Sequence, residues 1–346
     1  MNNLKKLGLT ALAGSLALTT ANAVDYSLSG DAYVSWSTQD SESSQAASGK
    51  VISTDMDLYF NASTELENGF TVSFYQAVNT NATLSVSSSQ VTLGMGSFGT
   101  LQINEVAGSR ANAIDDVMPN AMQETWDRVS DTANQVNPSF FGSSTMNGSL
   151  DYRIPAVELA GATLNAAVTY DPNADENAAN ASTGNGITTN VSGVAYTASI
   201  DYAGLTIGGG VESIDNDQGQ TKASGEENTT GYIKYAYGPI SVGYQEAYQD
   251  SRNGTGTEGA DNEAEFWAVA YTAGPMSFSY GESTYKTKGV SDSAASTEQE
   301  LESIQASYTM GAMTIMASMS EGSNIGATTA GGKNYEETSV AVNFAF

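Results

Sequence analysis

Hydrophobic and polar positions alternate along most of the chain with a period of two residues. Near the C-terminus, Val340, Val342, Phe344 and Phe346 alternate with small or polar residues. Because successive side chains of a strand point to opposite faces, such a segment predicts a strand with one apolar and one polar face. About sixteen segments show this pattern. They are 24–37, 53–66, 70–78, 84–95, 100–106, 147–155, 162–170, 191–202, 205–213, 230–237, 240–249, 263–272, 276–284, 299–309, 313–321 and 334–346.

The connections between these segments alternate in length. Short ones such as Ala203-Gly204 and Gly238-Pro239 are typical tight turns, whereas long polar stretches such as 38–52 and 107–146 lie between them. Short turns at one end and long loops at the other predict an antiparallel up-and-down meander. No domain boundary interrupts the pattern, so we expect one β-barrel domain over residues 24–346.

The composition of the polar face indicates whether apolar side chains face the interior or the exterior of the barrel. It consists largely of small residues, which cannot fill the interior of a wide barrel. An apolar exterior facing lipid and a polar, water-filled interior solve this problem, and closure pairs every backbone group. Many aromatic residues, such as Trp36, Tyr202 and Tyr271, lie near strand ends. They suit aromatic girdles at the lipid–water interfaces, although aromatics also favour strands in general.

The N-terminus has the features of an export signal. Lys5 and Lys6 precede an apolar run over 7–18, and Ala21-Asn22-Ala23 follows as a small-x-small cleavage site. The run is too short to cross a bilayer as a helix. We therefore expect residues 1–23 to be a signal peptide; a buried N-terminal helix is the alternative.

Composition excludes several functions. Without the signal, 10 basic residues stand against 39 acidic ones, so clustered cationic contacts to nucleic acid are not available. The chain contains neither His nor Cys. This removes Ser-His-Asp and Cys-His catalysis, His-based metal sites and disulfides, and we expect no enzymatic activity.

Three features resemble the Gram-negative general diffusion porins. They are the terminal strand 339–346 with its final aromatic residue, the strand–turn–strand segment 91–103, and the long loop 107–146. The resemblance implies a 16-stranded homotrimer in the outer membrane, surrounded by its lipids, with the third external loop folded into the pore. It implies passive diffusion of ions and small hydrophilic solutes. It also implies that the strand ending in Phe344 and Phe346 is a signal for the barrel-assembly machinery. Asn104-Glu105 departs from the family's common Gly-Arg pair, and the second loop is short.

In the loop 107–146 the two-residue alternation of hydrophobic positions is replaced by a helical spacing. Its residues Met118, Met122, Thr125, Trp126 and Val129 have helical spacing, which predicts a short amphipathic helix packed on the inner wall; a solvent-exposed external loop is the alternative. We expect its polar side chains, with two basic residues of the strands, to line the constriction. These candidates are Asp115, Asp116, Glu124, Asp127, Asp131, Arg110, Arg128, Arg153 and Lys234. Their acidic excess favours cations, unless most acids of the chain lie in external loops.

Two kinds of motif bear on cofactor and metal binding. Gly94, Gly96 and Gly99 match a dinucleotide fingerprint, but a strand follows them, so they indicate a turn. Acidic clusters near 171–175 and 215–226 could hold Ca²⁺ or Mg²⁺ loosely, but solvated acidic loops are the preferred interpretation. We therefore expect no resident cofactor or metal. The competing function is an exported structural or adhesive surface β-protein without channel activity, which carbonate extraction would release from membranes.

Overall fold

A computed structural model describes residues 24–42, 48–80, 84–105, 108–128, 141–142, 148–172, 191–216, 226–251, 261–288, 297–325 and 334–346. The strands are β1 (Asp25–Ser41), β2 (Gly49–Glu65), β3 (Thr71–Asn79), β4 (Ser85–Gly94), β5 (Thr100–Glu105), β6 (Ser149–Arg153), β7 (Val157–Leu159), β8 (Ala162–Asp171), β9 (Val191–Tyr202), β10 (Leu205–Asn216), β11 (Glu226–Tyr237), β12 (Ile240–Ser251), β13 (Asp261–Ala273), β14 (Met276–Lys288), β15 (Thr297–Met310), β16 (Met313–Ser323) and β17 (Tyr335–Ala345). The expected signal peptide lies outside the described residues.

The strands form a closed antiparallel barrel. Successive strands pair with one another, and β17 pairs with β1 over the register Asp31↔Ala345 to Ser41↔Tyr335. Strands β6 and β7 both pair with β8 and follow each other in line. They are two parts of one barrel strand, so the barrel has sixteen. The expected fold class is thereby confirmed. No helix of the described residues is long and apolar enough to cross a membrane.

The sixth barrel strand differs from its prediction. We expected a strand over 147–155 and a turn over 156–161, but pairing resumes at Val157 and the turn is Ala160-Gly161. The ladder is interrupted where Pro155 lies, because proline has no backbone N–H to donate. The turn itself needs positive φ angles, which are 53° at Ala160 and 86° at Gly161.

The two faces of the wall follow the expected alternation. On β15, Ile304 is 62% exposed on the outer face, whereas its neighbours Ser303 and Gln305 are buried on the inner face. Apolar side chains on the outside of β1 and β17, such as Trp36 and Val340, are likewise exposed. This is the distribution of a wall with lipid outside and polar groups inside.

A row of glutamates lies at one edge of the outer apolar band, toward the end of the barrel that carries the long connections. Glu282, Glu302, Glu321 and Glu336 lie opposite one another on β14 to β17. The indole Nε1 of Trp267 donates to Glu282 at 3.0 Å. Aromatic and carboxylate groups at the same depth are expected at the boundary between the lipid hydrocarbon and the polar interface.

The connection between β5 and β6, called the third loop below, carries short 3₁₀ helices at Asn112–Ile114 and Thr125–Arg128. The amphipathic α-helix predicted from Met118 to Val129 is absent over the described residues 118–128. A side chain of the wall accepts backbone N–H groups that such a helix would use. In a helix the Met122 and Gln123 N–H groups would donate to the carbonyls of residues 118 and 119. Here they donate to Gln305 Oε1 of β15 at 2.8 and 3.1 Å.

Candidate pore constriction

The third loop is held against the inner wall by side chains of the later strands. Gln305 of β15 accepts the N–H groups of Met122 and Gln123 at Oε1, over 2.8 and 3.1 Å. Its Nε2 donates to the Gln123 carbonyl at 2.6 Å. One amide side chain therefore forms hydrogen bonds with three backbone groups of the loop. These bonds fix the position of the loop along the barrel axis.

Small inward residues provide the surface on which the loop lies. Gly243 of β12, Ala268 of β13 and Gly281 of β14 are neighbours across the sheet. A Cβ on Gly243 would come within 2.8 Å of Pro119, and a Cβ on Gly281 within 2.5 Å of Thr125 Oγ1. The loop side chains can approach the wall this closely only because the two glycines have no side chain.

Apolar contacts anchor the same part of the loop. Trp126 packs on Phe266 of β13 with ring centroids 4.4 Å apart, and both side chains are buried. Met118 belongs to the same buried cluster. Burial of aromatic rings contributes a few kcal/mol each, so this cluster makes the loop a fixed part of the barrel interior.

The beginning of the loop is fixed by a basic residue. Arg153 of β6 donates through its Nε to Asp151 at 2.6 Å and through a terminal nitrogen to the Gly108 carbonyl at 2.9 Å. Asp151 is fully buried and also accepts the Thr169 hydroxyl at 2.7 Å. The charge of Arg153 is therefore neutralised on the wall, and the residue acts mainly as an anchor.

The loop brings four of the predicted acids together. Asp115, Asp116, Glu124 and Asp127 lie close enough that the charges of Asp116 and Asp127 raise the pKa values of Asp115 and Glu124. Burial, followed by the charges of Asp116 and Asp127, raises the pKa of Asp115 to about 7. Burial raises the pKa of Glu124 to about 10, although the hydrogen bond from the Met118 N–H opposes this. Burial also raises the pKa of Asp116. At neutral pH the cluster therefore carries less negative charge than four free carboxylates.

Glu124 differs from the expectation that it projects into the pore. Its side chain is only 3% exposed and lies between the loop and the wall. Asp116 and Asp127, in contrast, are exposed. One carboxylate oxygen from each of these three residues lies within 4.8 Å of the others.

Asp127 faces open space inside the barrel. A cavity of about 520 Å³ lies between Asp127 and the wall of β1, β2 and β17, where Ser37, Gln39 and Glu337 are among its lining residues. Polar groups on both sides suit passage of hydrated solutes. This cavity and the loop that borders it form the candidate constriction.

The other predicted residues are spread over the barrel. Arg110 is exposed and lies near Tyr232 of β11. Lys234 lies on the inner face of β11, opposite Thr206 of β10. Asp131 and the side chain of Arg128 lie outside the described residues. Among the described side chains, the structure therefore gathers four acids of the loop but not Arg110, Arg153 and Lys234.

Sequence reasoning missed the wall residues that hold the loop. Gln245 of β12 donates to the Ile114 carbonyl at 3.1 Å, and Glu212 of β10 accepts the Gly142 N–H at 2.9 Å. Both residues have inward parity, which the alternation revealed. Their partners in the loop were not recognisable, because no local pattern encodes contacts 70 and 131 residues apart.

The predicted assembly residues lie at the seam of the barrel. Phe344 and Phe346 point outward and are 45% and 70% exposed. Phe344 pairs with Ala32 of β1. Phe346 exchanges backbone hydrogen bonds with Gly30. The last residues of the chain thus complete the contact that closes the sheet.

Comparison with known proteins identifies the family. A sequence model described as Gram-negative porin matches residues 8–299. The loop L8 deletion mutant of OmpT, an outer membrane protein of Vibrio cholerae, superposes with a TM-score of 0.67 at 12% identity, covering 94% of this chain and all of that one. The trimer form of in-vitro folded Vibrio cholerae OmpT gives 0.67 at 10% identity, with the same coverage. Salmonella typhi OmpF in complex with daunomycin gives 0.64 at 12% identity, covering 94% and 98%.

The curated proteins contain no significant match. At these identities the solved structures show the fold, and the family model covers most of the chain. The chain belongs to the Gram-negative porin family and is a β-barrel of the outer membrane.

Proposed function

We propose that this porin is a cation-preferring diffusion channel through which ions and small hydrophilic solutes pass passively. The observation that carries the proposal is the acidic excess on the inner face of the described strands. The acids there include Asp31, Asp55, Asp57, Asp151, Asp171, Asp201, Glu212, Glu226 and Glu337, against the bases Arg153 and Lys234.

One group of these acids is concentrated on β1 and β2. Asp31 and Asp57 lie directly opposite each other, and Asp55 is the next inward residue of β2. The Tyr59 hydroxyl donates to Asp31 at 2.5 Å, and the Asn79 amide donates to Asp55 at 2.7 Å. Like charges directly opposite on a sheet are destabilising. Mobile cations in the lumen relieve this repulsion, so cations accumulate beside this part of the wall.

The loop adds negative charge on the other side of the candidate constriction. Asp116 and Asp127 are exposed there, whereas Glu124 is buried and holds its proton at neutral pH. The positive charge of Arg153 is compensated by Asp151 at 2.6 Å. A pore with this charge distribution attracts cations and repels anions.

Channel activity rather than catalysis suits the chemistry of the chain. Neither His nor Cys is available to activate a nucleophile. The inner wall presents hydroxyl, amide and carboxylate groups, which interact weakly with many solutes. Weak and distributed binding permits passage, because a solute must leave as readily as it enters.

Assembly as a homotrimer is part of the proposal. Vibrio cholerae OmpT, which shares the fold, has been solved in a trimer form. We further propose that the barrel-assembly machinery recognises the last strand through Phe344 and Phe346, which extend outward at the seam.

Reversal potentials test the ion preference directly. The purified porin is reconstituted in a planar bilayer with a KCl gradient whose dilute side is about 0.1 M, where charges act over ~10 Å. We expect the sign that corresponds to cation preference, and a smaller selectivity near 1 M, where the screening length is ~3 Å. Anion selectivity at low salt would overturn the proposal.

A further inference from the structure

We propose that three inward tyrosines of β1, β2 and β3 bind sugars weakly as they pass through the pore. These residues, called the tyrosine track below, are Tyr33, Tyr59 and Tyr75. They give the channel a preferred class of uncharged solute, the linear oligosaccharides of pyranose sugars. The inference rests on the proposed diffusion channel, but it does not depend on the preference of that channel for cations.

Aromatic rings on the inner face of the described strands fall into two groups. Phe266, Tyr285 and Tyr335 are buried, and Tyr232 packs against a buried cluster of the third loop. The three rings of the tyrosine track form the other group: they are only half-buried, and they lie on adjacent strands. Rings that face water on a wall of mostly small polar side chains are not explained by packing of a core, and an exposed aromatic patch of this kind indicates a binding surface.

The tyrosine track begins at the candidate constriction and runs toward the end of the barrel that carries the short turns. Tyr33 lines the cavity of about 520 Å³. It pairs with Asp55, and Tyr59 lies four residues further along β2, which is about 13 Å at 3.3 Å per residue. Tyr75 lies opposite Asn61, about 7 Å beyond Tyr59. A chain of several sugar rings can therefore contact successive members of the track.

The orientation of the rings suits stacking. The rings of Tyr59 and Tyr75 are nearly parallel, with an interplanar angle of 14° and centroids 6.3 Å apart. The Tyr59 hydroxyl donates to Asp31 at 2.5 Å, which fixes this ring before a solute arrives. The face of an aromatic ring carries partial negative charge, and the C–H groups on one face of a pyranose ring are weakly positive, so the two stack. The tyrosine pair therefore offers a preformed surface to a sugar ring.

Polar side chains beside the rings supply partners for sugar hydroxyl groups. Asp55 and Asn61 are exposed on the same inner face of β2 as Tyr59. A carboxylate accepts hydrogen bonds, and an amide both donates and accepts them. Aromatic surface with a few convergent polar groups is the usual composition of a small-molecule site. A sugar uses both features, because its C–H groups cover the rings while its hydroxyls bond to the polar groups.

Interruptions of the single-channel current test the proposal on the full-length porin. The protein is reconstituted in a planar bilayer in ~1 M KCl, where the screening length is ~3 Å and wall charges affect the current least. Maltotriose, cellotriose and triacetylchitotriose are added one at a time. We expect at least one of them to interrupt the current at a frequency that rises with its concentration, because a sugar on the track narrows the path of the ions.

Variants separate stacking on the rings from the hydrogen bond to Asp31. Tyr59→Ala should weaken sugar binding at least ~5-fold, because one stacking surface is lost. Tyr59→Phe keeps the ring and removes only the hydroxyl, so its sugar affinity should stay within ~2-fold of the wild type. The matched control Tyr308→Ala removes a ring from the outer face of β15 and should leave the affinity unchanged.

Three results would overturn the proposal. One is an uninterrupted wild-type current with all three sugars, and another is equal sugar affinity in Tyr59→Ala and the wild type. The third is interruption by tetraethylammonium but by none of the sugars, which would assign the rings to organic cations. If Tyr59→Ala fails to form a barrel, Tyr75→Ala decides by the same criterion.

The same recordings separate this proposal from the proposed function. A reconstituted porin that carries no current would contradict the diffusion channel itself. A porin that conducts ions normally, without interruption by any sugar, would contradict only the tyrosine track.

Discussion

The backbones of Gly30 and Phe346 exchange a reciprocal pair of hydrogen bonds at the seam of the barrel. The Gly30 N–H donates to the Phe346 carbonyl at 2.8 Å, and the Phe346 N–H donates to the Gly30 carbonyl at 2.9 Å. A Cβ on Gly30 would lie 2.9 Å from the Phe346 ring and 2.6 Å from the Asp57 carbonyl. Glycine therefore permits the final aromatic residue to cover β1 where the sheet closes.

The first prediction is that Gly30→Ala weakens this closure. The added methyl group must displace the Asp57 backbone or the Phe346 ring, and overpacking of this kind costs about 1–3 kcal/mol. We expect a lower temperature for the change in electrophoretic mobility between folded and unfolded barrel. The control is Gly231→Ala, which places a methyl group in open space on the outer face of β11. Equal transition temperatures in Gly30→Ala and the control would show that the seam tolerates a side chain.

Deletion of Phe346 tests its part in assembly. The deletion removes the residue that pairs with Gly30 and, as proposed, part of the recognition signal. Outer-membrane yield should fall and periplasmic aggregates should appear in fractionated cells. Normal insertion of the shortened chain would mean that Phe346 serves only as an outward aromatic residue of the girdle.

The ion pair between Arg153 and Asp151 gives a second stability prediction. The change Arg153→Ala leaves the Asp151 carboxylate buried without its cation, which typically costs about 3–5 kcal/mol. It also releases the Gly108 carbonyl at the start of the third loop. We expect a lower unfolding temperature for Arg153→Ala. Adding Asp151→Asn should restore part of the loss, because no charge then remains buried. A double variant as unstable as the sum of the two single variants would exclude the proposed coupling.

The anchoring of the loop by Gln305 predicts an effect on conductance. In Gln305→Ala, the Met122 and Gln123 N–H groups lose their acceptor on β15, and the Gln123 carbonyl loses its donor. The loop should move more freely, so single-channel currents should become larger or noisier while the barrel keeps its thermal stability. Asn165→Ala, which removes an inward amide bonded to Asp201 on the neighbouring strand, is the matched control. Wild-type current levels and noise in Gln305→Ala would contradict this assignment.

Trimer formation predicts heat-modifiable behaviour. Unheated samples in SDS should migrate as an oligomer rich in β-structure by circular dichroism, and heating should convert them to the monomer. Native mass spectrometry from a mild detergent gives the number of copies. A monomer under these conditions would contradict the trimer but would leave the barrel intact.

Much of the fold could be predicted because each strand carries its own two-residue alternation. The pairs Ala203-Gly204 and Gly238-Pro239 mark turns locally, and both lie where the sequence placed them. The interruption between β6 and β7 was misplaced, because Pro155 breaks the ladder without ending the strand. Local chemistry thus indicates where pairing stops but not whether it resumes.

The site was less predictable, because the third loop takes its shape from distant strands. Gly243 and Gly281 lie side by side under the loop only because of the pairing register of β12, β13 and β14. This register could not be predicted from the sequence. Glu124 looked like a pore-facing acid, yet packing of Trp126 on Phe266 carries it into the wall. Over the described residues, the helical spacing reflects burial of Met118, Thr125 and Trp126, not a helix.

The central claim is that carboxylates facing the lumen, including those at the constriction, set the ion preference, and reversal potentials of matched variants test it most directly. The triple change Asp115→Asn, Asp116→Asn and Asp127→Asn removes acids beside the lumen. Glu321→Gln removes one from the outer face, where it pairs with Glu302 and Glu336. In a divalent-free KCl gradient near ~0.1 M, the triple variant should lose much of its cation preference, whereas Glu321→Gln should match the wild type. An unchanged reversal potential in the triple variant would contradict the account.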